Sequence, residues 1–303
     1  MKALLLLLPL VCCMRTGAFL RGGLIRQPLL AARAPLEARR QQTCLQLFKP
    51  QPWSPGTSIK PRKDPDFLAI LNYLSATTVQ LSLIVSFMHL LQLCGLNQLP
   101  DIFGLSANLS LTKREISNGI VAFFMLFMSL RSRVFSPLNN SRPSASKNDP
   151  IFKNRLRPWW QPPPLAFPII WSSIALLRTI STTLIFDHSG TLLTKPIFAL
   201  MLHLSIGDTW NTINNVEARL GTSAVAVFFV LGSALYATKG YYDVLPLAAK
   251  VLAPSCVWLS VATLLVVSIY RLNYVLFNKP SLFPSIQEGP RSSWKLPLTS
   301  FTK

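Results

Sequence analysis

The chain has 303 residues, of which 50% are hydrophobic and only 14% charged, a balance that excludes an ordinary soluble domain and fits several bilayer spans. Its formal charge of +19 comes from Lys and Arg in the N-terminal stretch, the connections and the tail, not from an aromatic-interleaved face, and this excludes a nucleic-acid partner. Five cysteines without a CxxC motif or a Cys/His cluster exclude a disulfide framework and a structural zinc site.

Residues 1–18 read as a signal peptide: Met1 and Lys2, an apolar run from Ala3 to Cys13, Arg15, then the small-residue stretch Thr16-Gly17-Ala18. Residues 19–63 read as a transit peptide or basic linker, carrying Arg21, Arg26, Arg33, Arg39 and Arg40 against the single acid Glu37. The junction Gly17-Ala18-Phe19-Leu20-Arg21 resembles the bipartite plastid presequence of algae with secondary plastids, which implies a chloroplast membrane as destination. The simpler reading is a secretory signal followed by a basic linker.

Six spans are expected: Phe67 to Leu96, Ile116 to Leu130, Leu165 to Phe186, Pro196 to about Asn214, Ser223 to Thr238 and Leu245 to Arg271. The first lies in a segment 64–98 and carries Asn72, Gln80, His89 and Gln92, so it is expected to turn one polar stripe toward protein. The stretch Ser136 to Pro164, rich in Ser, Asn, Pro and Arg, is expected to be a loop on the membrane surface. Basic residues concentrate on the side of the N-terminal region, this loop and the tail, which puts both termini on that side.

The stretch Arg157-Pro158-Trp159-Trp160-Gln161-Pro162-Pro163, followed by Phe167-Pro168 and Trp171, resembles the loop and second helix of the TspO/MBR family, the tryptophan-rich sensory or translocator proteins. Trp210 ahead of Leu220-Gly221, and Pro254, Trp258, Ala262 and Arg271-Leu272-Asn273, resemble the later landmarks of the same family. The resemblance implies an all-α polytopic bundle, with a five-helix domain over 115–275, an additional N-terminal transmembrane helix and a disordered tail over 276–303. The chain departs from the family at Asn214 and Asn215, which replace a Phe pair, and at Ser255, which replaces a Tyr.

The resemblance further implies a ligand pocket for a flat hydrophobic molecule such as protoporphyrin IX or haem, lined by Trp160, Trp171, Trp210 and Trp258 with Asn211 and Pro254. Trp159 is expected instead to anchor the helix at the interface. Folding the third and fourth spans into a hairpin brings Arg178 within reach of His203 or Asp208. An Arg178–Asp208 ion pair that sets helix register is then expected, and a ligand propionate on Arg178 is the alternative.

No Ser-His-Asp set, metal-ligand spacing, phosphate-cradling loop or carboxylate pair is present, so no catalytic or metal-binding residue is assigned and the chain is read as no enzyme. Photo-oxidative breakdown of a bound porphyrin is the one activity that the resemblance leaves open. The implied function is scavenging, transport or sensing of a tetrapyrrole, with no tightly bound cofactor; a homodimer in the bilayer fits the same reading. Rival readings are a lipid or sterol carrier, and a structural or regulatory subunit that docks through the added helix.

Overall fold

The computed structural model describes residues 64–94, 96, 112–139, 155–277, 279–288 and 291–295. The expected signal peptide at 1–18 and the transit segment at 19–63 lie outside these residues. So does the middle of the loop between the second and third spans, residues 140–154.

Among the described residues the chain forms six helices: α1 Phe67–Leu93, α2 Lys113–Arg131, α3 Ala166–Ser189, α4 Lys195–Asn215, α5 Leu220–Val244 and α6 Pro246–Asn273. A short 3₁₀ turn, Ser132–Phe135, continues α2. Five of the six are long and apolar enough to cross a membrane, where the sequence suggested six spans. The exception is α4: its 21 residues include His203, Asp208, Asn211, Asn214 and Asn215, and His203 and Asp208 are buried among the other helices.

Local signals explain the helix ends. Thr112 and Glu115 form a reciprocal capping box at the start of α2. Gly190, with φ of 70°, closes α3 in the left-handed conformation that a side chain disfavours. Pro196 and Pro246 stand in the first turns of α4 and α6, where the missing N–H has no intrahelical partner to lose.

The bundle is a chain of neighbours in which α1 packs on α4, α4 on α5, α5 on α6, α6 on α3 and α3 on α2. The main core gathers Met88, Met125, Ile185, Leu200, Tyr241 and Leu252, side chains from all six helices. On α1 the buried positions are Ala69, Tyr73, Ala76, Gln80, Ile84 and Met88, one helical stripe, while Leu68, Leu71, Leu74 and Leu90 face outward. Ala69 and Ala76 let the backbones approach closely, and the polar members of the stripe meet polar partners, as packing between helices in a bilayer favours.

Within the tail, expected to be disordered over 276–303, the described residues are held by contacts with the bundle. Residues 279–288 and 291–295 run back across one end of the bundle, pairing Pro65 with Ser285 and Leu138 with Trp294 in isolated antiparallel bridges. A buried charge cluster holds them. Arg219 pairs with Glu217 at 3.0 Å and with Asp66 at 3.3 Å, and Arg291 reaches the same Asp66 at 2.8 Å. Tyr73 donates to Glu217, the Ser292 N–H donates to Glu217 and Arg219 donates to the Ser285 carbonyl. Burial opposes the charge on Asp66, but hydrogen bonds from Arg291, the Ala69 N–H and Arg219 outweigh it and hold the carboxyl below its ordinary range. The arrangement satisfies every charge it buries, which the tail's composition alone does not reveal.

Gly221 is where the tail comes closest. A methyl there would stand 2.1 Å from the Ser281 carbonyl oxygen and 2.6 Å from its carbonyl carbon, a clash with backbone that no rotamer relieves. Gly221→Ala is therefore expected to cost about 1–3 kcal/mol of stability, the usual range for overpacking, and to expose residues 281–295 to protease. Unchanged melting together with a protected tail in that variant would refute this packing.

Candidate functional site

The buried ionisable residues on α3 and α4 fall into two clusters with different degrees of closure. Arg178, at mid-length on α3, and His203 on α4 are both buried. The Arg178 Nη2 lies 2.8 Å from His203 Nε2. A guanidinium can only donate, so Nε2 accepts, and the imidazole carries its proton on Nδ1. That N–H is placed to donate to the Ser233 hydroxyl at 3.0 Å and the Val230 carbonyl at 3.2 Å, both on α5. His203 is thus a neutral partner that orients Arg178 without cancelling its charge.

The expected Arg178–Asp208 ion pair is not formed. Asp208 turns to the other side of α4, where its Oδ2 accepts from Gln80 Nε2 at 2.7 Å and from the Ser132 hydroxyl at 2.6 Å. Arg133 stands 3.9 Å from its other oxygen. Gln80 also donates to the Ser132 carbonyl at 3.1 Å, and beside it Thr77 meets Thr209 at 2.8 Å. The reason is geometric: one helix face carries His203 toward α3 and α5, and a different face carries Asp208 toward α1 and the turn after α2.

Arg178 and His203 line a cavity together with Thr238 of α5 and Ser255, Cys256 and Leu259 of α6. Its volume of ≈ 10 Å³ is about what one water needs. Thr238 meets Cys256 Sγ at 3.1 Å. The Ser255 hydroxyl is buried without a hydrogen-bond partner, and so is the Trp258 indole N–H three residues further along α6. Buried donors are seldom left unpaired in folded proteins. Trp258 meets Phe167 of α3 edge-on, with ring centroids 6.2 Å apart.

The tryptophans expected to line one pocket are dispersed. Trp210 of α4 donates from Nε1 to the Ser223 carbonyl at 3.2 Å and packs against α5 and α6. Trp171 is 38% exposed, Trp160 is half-buried in the turn before α3, and Pro254 is half-buried inside α6. None of these, nor Trp258, lines the enclosed cavity. Trp159 is exposed, as suits an interfacial anchor.

Asn211, Asn214 and Asn215 bond chiefly to one another and to the loop. Asn215 donates to Asn211 at 2.6 Å and Asn214 to Asn215 at 2.9 Å. The Asn214 carbonyl oxygen accepts from Ser223 and from Arg155. Burial lowers the pKa of Arg155 to about 10, with the like charge of Arg157 adding to the effect. This set closes the end of α4 and leaves Asn211 engaged within it.

Ser132, Thr238 and Cys256 escaped the sequence reading, and Gln80 and Ser255 were singled out in it without a partner. The available signal was polarity inside apolar runs, which marks a residue as inward-facing but does not name its partner.

Residues 122–271, from within α2 to near the end of α6, match the model of the TspO/MBR family. The chain is 27% identical over 121 residues to the Translocator protein of Homo sapiens, a stretch that covers 39% of this chain and 72% of that protein. It is 29% identical over 135 residues to the Tryptophan-rich sensory protein of Cereibacter sphaeroides, covering 44% and 82% respectively. Helix α1 lies before the family match.

The Gln80–Asp208 contact generates a double-mutant cycle. Gln80→Leu and Asp208→Asn are each expected to lower thermal stability, and the double variant should lose less than the sum, with a coupling of about 1–3 kcal/mol. Strict additivity would remove the contact from the account.

Proposed function

The helical core of this chain, residues 122–271, belongs to the TspO/MBR family, and from that premise we propose that the protein binds a flat, largely apolar ligand of the tetrapyrrole class inside its bundle, in order to scavenge, transport or sense it. The observation that carries this reading is Trp258. Its indole is half-buried, its N–H has no partner and its ring meets Phe167 edge-on. An aromatic face beside an unsatisfied donor is what a planar ring with polar edges requires: stacking supplies area and the N–H supplies orientation.

The cavity beside Arg178 is far too small for a tetrapyrrole ring. The proposal therefore requires α3 and α6 to part at Phe167 and Trp258, with Ser255 and the inner cavity lying deeper along α6. Trp171, already part-exposed on α3, would meet the ring from the outside.

Saturable quenching of tryptophan fluorescence by protoporphyrin IX in the detergent-solubilised chain is the expected result. Trp258→Phe should weaken binding by about 1 kcal/mol, the value of an aromatic contact, while Trp294→Phe, on the tail, should leave it unchanged. Tight sterol binding with linear, unsaturating porphyrin quenching would replace this reading by that of a sterol carrier.

The N-terminal presequence supports a plastid membrane as the site of action. Residues 1–63 fused to a fluorescent reporter should deliver it to the plastid of an alga with secondary plastids. Secretion of the reporter would refute that destination.

A further inference from the structure

We propose that Arg178 makes the internal site selective for a carboxylate-bearing ligand; the inference rests on the ligand-binding reading above and names the chemical class that the site accepts. Arg178 lies 12 residues from the start of α3 and 11 from its end, roughly 17 Å from either by helical rise, in a helix apolar enough to cross the bilayer. A charge at such depth is normally paired, because leaving it alone is costly.

Two other buried charges of the bundle have opposite charges beside them: Asp208, which accepts from Gln80 and Ser132, has Arg133 at 3.9 Å, and Arg219 has Glu217 and Asp66. Among the described residues no carboxylate lies within ion-pair distance of Arg178. Its bonded neighbour is His203 Nε2, which hydrogen-bonding logic makes neutral.

The second observation is independent. The Ser255 hydroxyl is 3% exposed, lacks a partner and lines the same small cavity as Arg178 from the opposing helix. A guanidinium and a free hydroxyl donor facing one water-sized space form a site for an oxyanion, since both donate to a carboxylate and the first bond is charge-assisted. The space admits a carboxylate oxygen and excludes a ring, so the acid enters first and the ring remains toward Trp258. His203, held by α5 through Val230 and Ser233, fixes the guanidinium in the donating orientation.

Protoporphyrin IX and its dimethyl ester share one ring and differ in the acid groups, which makes them the probes. In the full chain the free acid should bind at least tenfold more tightly than the ester, in line with a charge-assisted bond. Arg178→Gln should bring the acid's affinity down to the ester's, Arg178→Lys should restore part of the difference, and Ser255→Ala should reduce it. Acetate at millimolar concentration should compete weakly with the acid, and chloride should compete measurably less than acetate. Competition by chloride as strong as by acetate would assign the site to a small inorganic anion and overturn the proposal.

Equal affinity of acid and ester in the unaltered chain would overturn carboxylate selectivity while leaving ring binding intact, and that comparison needs no variant to fold. An equal loss for both ligands in Arg178→Gln would make Arg178 structural and equally refute the selectivity. Absence of saturable binding by either ligand would refute ring binding itself, and the selectivity with it.

Discussion

Asp208 is the group around which the arrangement of α1, α2 and α4 is organised. A carboxylate inside a bilayer-spanning bundle costs roughly 2.5–3.5 kcal/mol by insertion scales unless protein supplies its partners. Here Gln80 of α1, Ser132 in the turn after α2 and Arg133 beside it converge on it. Because Gln80 also donates to the Ser132 carbonyl, one amide bridges the acid and the backbone of the turn. The N-terminal helix is therefore joined to the family core through the core's own buried acid. An accessory helix resting on lipid-facing surface would have no such tie.

The same logic recurs at one end of the bundle. Asp66 at the start of α1, Glu217 and Arg219 between α4 and α5, Tyr73 on α1 and Arg291 on the tail complete one another. They come from three separate parts of the chain, and a charge buried there without a partner is costly. The turn that carries Glu217 and Arg219 includes Ala218 in the left-handed region, at φ of 55°, a conformation that costs an L-residue about 1–2 kcal/mol. The ion pairs on either side hold it there. The tail is bound by these charges and by its close passage over Gly221, with little apolar area of its own.

Against these two closed clusters, the environment of Arg178 is open. It has a neutral imidazole on one side and a water-sized space with an unpartnered hydroxyl on the other. Asp208 and Arg219 have charges of opposite sign beside them, whereas among the described residues no carboxylate stands within ion-pair distance of Arg178. The neighbouring Trp258 N–H, also unpartnered, extends the unsatisfied surface by three residues along α6.

Much of the architecture was legible in the sequence because it depends on local composition. Apolar runs of span length must lie in a bilayer, and a bilayer permits such segments few conformations besides helix. The tryptophan, proline and glycine landmarks from Arg157 to Asn273 carried the family relation in the same way. Proximity in the fold was not legible. The sequence placed Arg178 within reach of both His203 and Asp208, five residues apart on α4. A rotation of about 100° per residue, from 3.6 residues per turn, puts them on different faces, and only the packing of α1 against α4 decides which face meets which neighbour. The tail likewise read as solvated, since its polar groups find partners more than 60 positions away in the chain: Arg291 at Asp66, and the Ser285 carbonyl at Arg219. Composition by itself determined that this is a helical membrane protein, and the spaced tryptophan, proline and glycine motifs carried the resemblance to the family. Tertiary structure alone decided which buried charges are satisfied and which stays open, because pairing between distant side chains depends on the relative rotation and depth of helices that no single segment encodes.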